Sequence, residues 1–494
     1  MFLRCCITFS ILLILFTPGA PAQRIFATVD ASETDESLRF DVNNIPVDIN
    51  VREHTTSGFS GGLVDLNYSP NIVFSPDSRK AFVSFSGADK VMVFDPYSGD
   101  ILKLIEIEAN PTQIAISPDG RTLAVIALHL NENLPSPQED SSFISTLAVI
   151  DIETLDTKSV RIENALMSFA NNPVFSPDSR FVFIPSMITS ELIRVDAETM
   201  EEAGSRLAFT PGSRPATITV APDGNSAAVV LIGSPGLSRI ENPDSVALID
   251  LINFQLIETI APVTGADSAP DDNSRDHLLH DFVATNTFTY TDDGRFGIIS
   301  DVAFSSFSSA PELSFDRAWI YDFERKEFFQ PVAYPGVATG SFYSPKTREF
   351  AILGTFTVTF LNPYKIREAV DNGEEIPQRG ITPTRSHFRP RTKAVFDHFN
   401  PIMYLTAPVQ DTLLVVNLIT DEINGIDVGT PVERKQVTTG PDDEKIETDV
   451  IYPAAPLDVA LSPNNEVLAV LNFNANTIDL LIETDSYYLP GTHQ

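Results

Sequence analysis

Residues 73–79 and 174–180 are the same heptapeptide, VFSPDSR, with unrelated sequence between them. Internal repetition constrains a chain of 494 residues more than its length does. The longer stretch VFSPDSRKAFVSF has relatives all along the chain. They are AISPDGRTLAVIA (115–127), VFSPDSRFVFIPS (174–186) and TVAPDGNSAAVVL (219–231). Weaker copies are TYTDDGRFGIISD (289–301), FYSPKTREFAILG (342–354) and VFDHFNPIMYLTA (395–407), and ALSPNNEVLAVLN (460–472) is the last. Eight copies result, 42 to 70 residues apart.

In each copy a short apolar run enters a Ser-Pro-Asp-Gly-like tetrad and a second run leaves it. Pro presets φ for the second turn position, Asp tolerates the third, and Gly takes the left-handed conformation after it. This predicts a tight hairpin between strands A and B. Two more strand-like runs, C and D, follow most copies, such as VMVFD (91–95) with ILKLIEI (101–107), and an Asp often closes the C run. A four-stranded sheet of this size cannot hide both faces. Stacking such sheets around an axis does, so the expected fold is an all-β, single β-propeller of four-stranded blades.

The pattern SPDG, LAV, VxVID, a Thr/Glu-rich turn and a closing Pro resembles the YVTN-type β-propeller repeat family, in the lactonase-like superfamily. ANPTQIAISPDGRTLAVIAL (109–128) carries it best, and the likeness spans about residues 70–485. Where the family's YVTN strand would fall, the chain has FVSF, LAVI and VFIP. Eight turns predict eight blades, with seven, the commoner number in related propellers, as the alternative. The last copy supplies only A, B and C. An N-terminal segment, RIFATVD (24–30) or IPVDINV (45–51), is expected to close the ring, against a flexible leader as the other reading.

The N-terminus reads MFLRCCITFSILLILFTPGAPAQR: one cation, an apolar run too short to span a bilayer comfortably, then small residues. That order predicts a secretory signal over 1–22, a leader over 23–69, the propeller over 70–485 and a tail over 486–494. A secreted or periplasmic chain without membrane insertion after cleavage is the expectation. Both cysteines, Cys5 and Cys6, lie in the signal segment, so disulfide and thiolate chemistry would leave with it. The composition, 67 acidic against 33 basic residues, disfavours nucleic acid, which needs clustered Lys and Arg.

With A to D alternating in direction, A–B and C–D turns share one face, and B–C and D–A connections share the other. Extra length is expected in B–C at 129–144, 232–245 and 301–317, and in D–A at 261–284, 370–392 and 429–456. Long connections in a compact fold are usually functional or disordered, so this face is the expected binding surface. Four histidines fall there: His129, His277, His280 and His387. In DHLLHD, Asp276, His277, His280 and Asp281 have spacing that lets both imidazoles reach one divalent metal on a helical turn. A solvated acidic loop is the alternative reading. In RGITPTRSHFRPRTK, Arg379, Arg385, Arg389, Arg391 and Lys393 crowd around His387. Aimed into a pocket they would suit a carboxylate or phosphate; paired with acidic neighbours they would be structural. Asp89 and Trp319 read as a loop residue open to the centre and as packing between blades.

No nucleophile elbow, phosphate loop or dinucleotide fingerprint stands in a fitting context. The leading expectation is therefore an exported binding module for a small molecule or an extracellular protein. The alternatives are a lactonase-like hydrolase, with His387 as base and Arg385 or Arg389 as anion clamp, and a metal or quinone redox propeller.

Overall fold

The computed structural model describes residues 22–30, 71–85, 88–129, 144–163, 165, 173–232, 245–261, 284–301, 315–329, 332–335, 338–354, 357–381, 393–439 and 445–484. They form eight antiparallel sheets, each ordered A-B-C-D, plus one separate two-stranded hairpin. Eight blades replace the alternative of seven. In blade 1 the strands are Ile72–Phe74, Ala81–Phe85, Lys90–Phe94 and Ile101–Glu106. Blade 8 takes A, B and C from Pro456–Leu461, Val467–Asn472 and Thr477–Thr484, and its D strand is Ala22–Asp30. That strand pairs antiparallel with strand C from Ala22↔Thr484 to Asp30↔Thr477. RIFATVD therefore closes the ring; IPVDINV lies outside the described residues.

The repeated tetrad persists because its side chains satisfy the turn's own backbone. Ser75 Oγ donates to Asp77 Oδ1 (2.6 Å) and accepts from Lys80 N (2.9 Å), while Asp77 Oδ1 also accepts from Arg79 N (3.1 Å). Ser117 with Asp119 and Ser176 with Asp178 repeat the arrangement. Thr291 with Asp293 and Ser462 with Asn464 are variants of it. The fourth tetrad residue has a left-handed φ at Ser78 (60°), Gly120 (72°) and Ser179 (62°). At Gly120 a Cβ would also meet Pro76 Cγ of the previous blade's turn at 2.5 Å, so both torsion and contact require glycine. Asp119 N donates to Ser179 Oγ (2.9 Å), and Asn464 N to Ser78 Oγ (3.2 Å). Neighbouring A–B turns are thus linked directly.

The Asp that closes strand C caps the C–D turn. Asp95 Oδ1 accepts from Tyr97 N (2.7 Å), Asp151 Oδ1 from Glu153 N and Thr154 N, and Asp196 Oδ1 from Glu198 N and Thr199 N. These are Asx turns, in which a short carboxylate replaces a missing backbone acceptor.

Eight apolar clusters fill the junctions between successive blades, one for each. Strand B of blade 1 shows the logic. Ala81, Val83 and Phe85 pack toward blade 8, and Phe82 packs toward blade 2. Both faces of the inner strands are covered, which is why FVSF and LAVI read as unbroken apolar runs instead of alternating. Trp319 packs between blades 4 and 5, as its sequence context predicts.

One expectation requires correction. Residues 370–392 do not form a single D–A connection. Helix α1, Pro363–Asn372, lies between strands C (Val358–Leu361) and D (Arg379–Ile381) of blade 6, on the face of the tight turns. Only 382–393 joins D to the next blade. The helix forms because Asn362 Oδ1 caps Lys365 N, Pro363 sits at the first helical position, and Gly373 takes φ 67° at the end. Buried Arg367 docks it, its guanidinium 2.9 Å from Glu327 and 3.7 Å from fully buried Asp322.

Candidate functional site

The A strands of most neighbouring blades contact one another around the axis. Two regions of this lining have distinct chemistry. Near the B–C and D–A face, strand A of blade 8 carries Asp458, which is 1% exposed. A register shift between Pro456 and Asp458 marks a bulge. Proline lacks the N–H a regular ladder would use, which favours a bulge there. Asp458 Oδ1 is 3.2 Å from Lys393 Nζ of blade 7. Its Oδ2 accepts from Ile72 N (2.8 Å) and Asn71 Nδ2 (3.2 Å) of blade 1. One carboxylate thus clasps the inner strands of three blades.

At the opposite end, toward the A–B turns, a cavity of about 430 Å³ opens on the axis between blades 4 and 7. Tyr290, Phe342, Tyr343 and Phe396 line it, with Asp292 and the hydroxyls of Thr289 and Ser341. A second cavity of about 400 Å³ shares Phe396 and carries Lys346, Asp397 and His398. Tyr343 Oη donates to Asp292 Oδ1 (3.0 Å). Burial, then that carboxylate, push the Tyr343 phenol up, so it remains a proton donor. Neither cavity was expected from the sequence, because its linings come from residues far apart in the chain.

Of the residues given a ligand or metal role from the sequence, His129 is described. It is half-buried where strand B of blade 2 ends, with Nε2 2.9 Å from Thr146 Oγ1. Asp276, His277, His280, Asp281, Arg385, His387, Arg389 and Arg391 lie outside the described residues. The cations flanking the Arg-rich loop are paired: Arg379 with Glu349 (2.6 Å) and Asp421, and Lys393 with Asp458. Among the described residues, no three His, Cys, Asp or Glu side chains gather as a metal group would require.

Asp89 turns out to be a turn residue. It has φ 55°, its carbonyl accepts from Ile107 N (2.8 Å), and its Oδ1 accepts from Asn110 Nδ2 (2.9 Å). Burial, then Glu106, push its carboxyl up. Asp411 holds the matching place in blade 7, with φ 49°, and accepts from Ala455 N (3.1 Å). Burial pushes its carboxyl up against that hydrogen bond, and Asp427 adds to the rise. A carboxyl with a raised folded pKa binds its proton more readily when folded. Its charge therefore opposes folding above that pKa, and the penalty fades as pH falls through it. Asp411→Asn keeps an acceptor for Ala455 N and tolerates the left-handed backbone. It is expected to raise the melting temperature at neutral pH and to give no gain below the ordinary Asp range. Thermal melts at the two pH values check both halves.

Two solved structures share the architecture. "Dihydro-heme d1 dehydrogenase NirN in complex with DHE" matches at TM-score 0.54 and 13% identity, over 83% of this chain and 74% of its own. The "Dos1 propeller" matches at TM-score 0.52 and 10% identity, over 84% of this chain and 92% of its own. Likeness at this identity shows the propeller fold alone. No protein-family model and no curated protein matches the sequence.

Proposed function

We propose that the chain is an exported propeller of the YVTN repeat type whose B–C and D–A face binds a small molecule or an extracellular protein. The observation that carries this is the difference between the two ends of the ring. At one end the A–B turns are short and satisfy their own polar groups, and helix α1 of blade 6 is the long C–D insertion there. At the other end leave the long connections 129–143, 232–244, 261–283, 302–314 and 382–393. The D–A connection of blade 7 adds a hairpin of its own, Val432–Thr439 with Lys445–Tyr452. Insertions gathered on one face of a repeat ring commonly build its binding surface.

Within that face, Arg385, His387, Arg389, Arg391 and His129 are assigned to an anionic ligand, and Asp276, His277, His280 and Asp281 to a divalent metal. Replacing 262–283 and 382–392 by short Asn-Gly turns should abolish binding of citrate or inorganic phosphate in calorimetry and leave the melting temperature within a few degrees. Binding that survives both replacements removes the assignment. Elemental analysis and a lactone-hydrolysis screen separate the competing readings. Metal lost on His277→Ala would favour the metal propeller, and turnover lost on His387→Ala the hydrolase.

A further inference from the structure

The cavity at the A–B end of the axis is far from the long connections and has its own chemistry. Phe342, Tyr343 and Phe396 are half-buried and Tyr290 nearly buried, and all four line one space of about 430 Å³. The cavity is a wide-mouthed depression and not an enclosed chamber, so it suits a small ligand that keeps part of its surface in water. The rings are held from behind. Tyr290 stacks on Phe323 (5.3 Å between centroids), and Tyr343 packs on Phe350 (5.3 Å). Thr289 Oγ1 donates to Ser341 O (2.8 Å), tying the inner strands of blades 5 and 6 beneath the aromatic residues. Asp292 stands among them, oriented by Tyr343 Oη.

We infer that this cavity binds a small organic monocation of the methylated-ammonium class, with aromatic groups around the cation and Asp292 as its counter-charge. Aromatic faces attract a weakly hydrated cation through their quadrupole, and an adjacent carboxylate adds direct attraction. The surroundings favour that sign. Asp223 and Asp293 occupy the flanking turns, and the chain carries 67 acidic against 33 basic residues. The nearby Arg348 also reaches this rim: its guanidinium lies 3.7 Å over the Tyr364 ring and 4.0 Å from Asp293 and interacts with Tyr343, but the carboxylates of Asp223, Asp292 and Asp293 outnumber it. Lys346 belongs to the adjoining cavity beside Asp397 and His398. A bare metal ion fits less well, because the cavity offers a single carboxylate and strong aqua ions resist dehydration against aromatic surface.

Choline is the probe, and its neutral isostere 3,3-dimethylbutanol is the control. Both are titrated into the whole purified chain and followed by calorimetry and ligand-observed saturation-transfer NMR. One choline per chain is expected, with the isostere weaker by about tenfold or more. Asp292→Asn changes an exposed residue, and Phe396→Leu keeps apolar volume, so both should fold with near-native melting. Each is expected to weaken choline by roughly three- to tenfold. Equal affinity for the isostere would reduce the site to a plain apolar cavity and overturn the inference. So would choline binding that is unchanged in both variants, or no binding at millimolar choline.

Discussion

A chain without Ala22–Asp30 is expected to lose roughly 5–10 kcal/mol of stability and to self-associate. The strand contributes an antiparallel ladder running from Ala22↔Thr484 to Asp30↔Thr477. It also contributes buried Val29 and the hydrogen bond from Thr28 Oγ1 to Asp479 Oδ1 (2.7 Å). Asp479 in turn accepts from Gly429 N (2.6 Å) and Asn472 Nδ2 (3.0 Å), so the junction also fixes the start of the hairpin-bearing connection. Deletion would expose the edge of Thr477–Thr484, whose sequence TIDLLIET is an apolar template for another chain. Size-exclusion chromatography, denaturant melts and hydrogen exchange would follow the loss, and a synthetic peptide of residues 22–30 should reverse it. A truncated chain that stays monomeric with an unchanged unfolding midpoint contradicts the closure argument.

Asp458→Ala is the second large effect, with an expected cost of about 3–5 kcal/mol. The substitution strands the Lys393 ammonium and leaves Ile72 N and Asn71 Nδ2 without the carboxylate that holds them. Asp458 is buried while the Lys393 side chain is 29% exposed, and removing one partner of such a largely buried pair costs more than replacing both by apolar groups of similar volume. Asp458→Leu combined with Lys393→Met should therefore cost less than Asp458→Ala alone in urea titrations. If the double variant costs more, the clasp is not dominated by uncompensated charge.

The fold was legible because each blade restates one local rule. The tetrad's Ser and Asp satisfy the same backbone groups each time, so VFSPDSR survives at two places where the blade cores differ. The closing Asp of strand C was visible as a pattern, and its role as a turn cap needed coordinates. Helix α1 had a readable signal in NPYKIREAVDNG, with Asn-Pro at one end and Gly at the other. It was hidden by the expectation that blade 6 would follow the minimal C–D turn. The axial features were not legible. Asn71 and Asp458 are 387 residues apart, and the aromatic cavity is lined from the inner strands of four blades. Local sequence periodicity contains no information about which distant positions meet on an axis.

The junction of blade 8 also dictates an order of events in folding. Thr28 and Asp479 are separated by 451 positions, so the partner of the first strand is synthesised almost last. Seven blades can assemble from neighbouring residues while Ala22–Asp30 waits unpaired. The entropy of joining such distant ends grows only logarithmically, by about 0.6 kcal/mol per doubling. Closure is therefore late but inexpensive, and a chaperone or protease acting before it would meet an open arc with a free terminal strand.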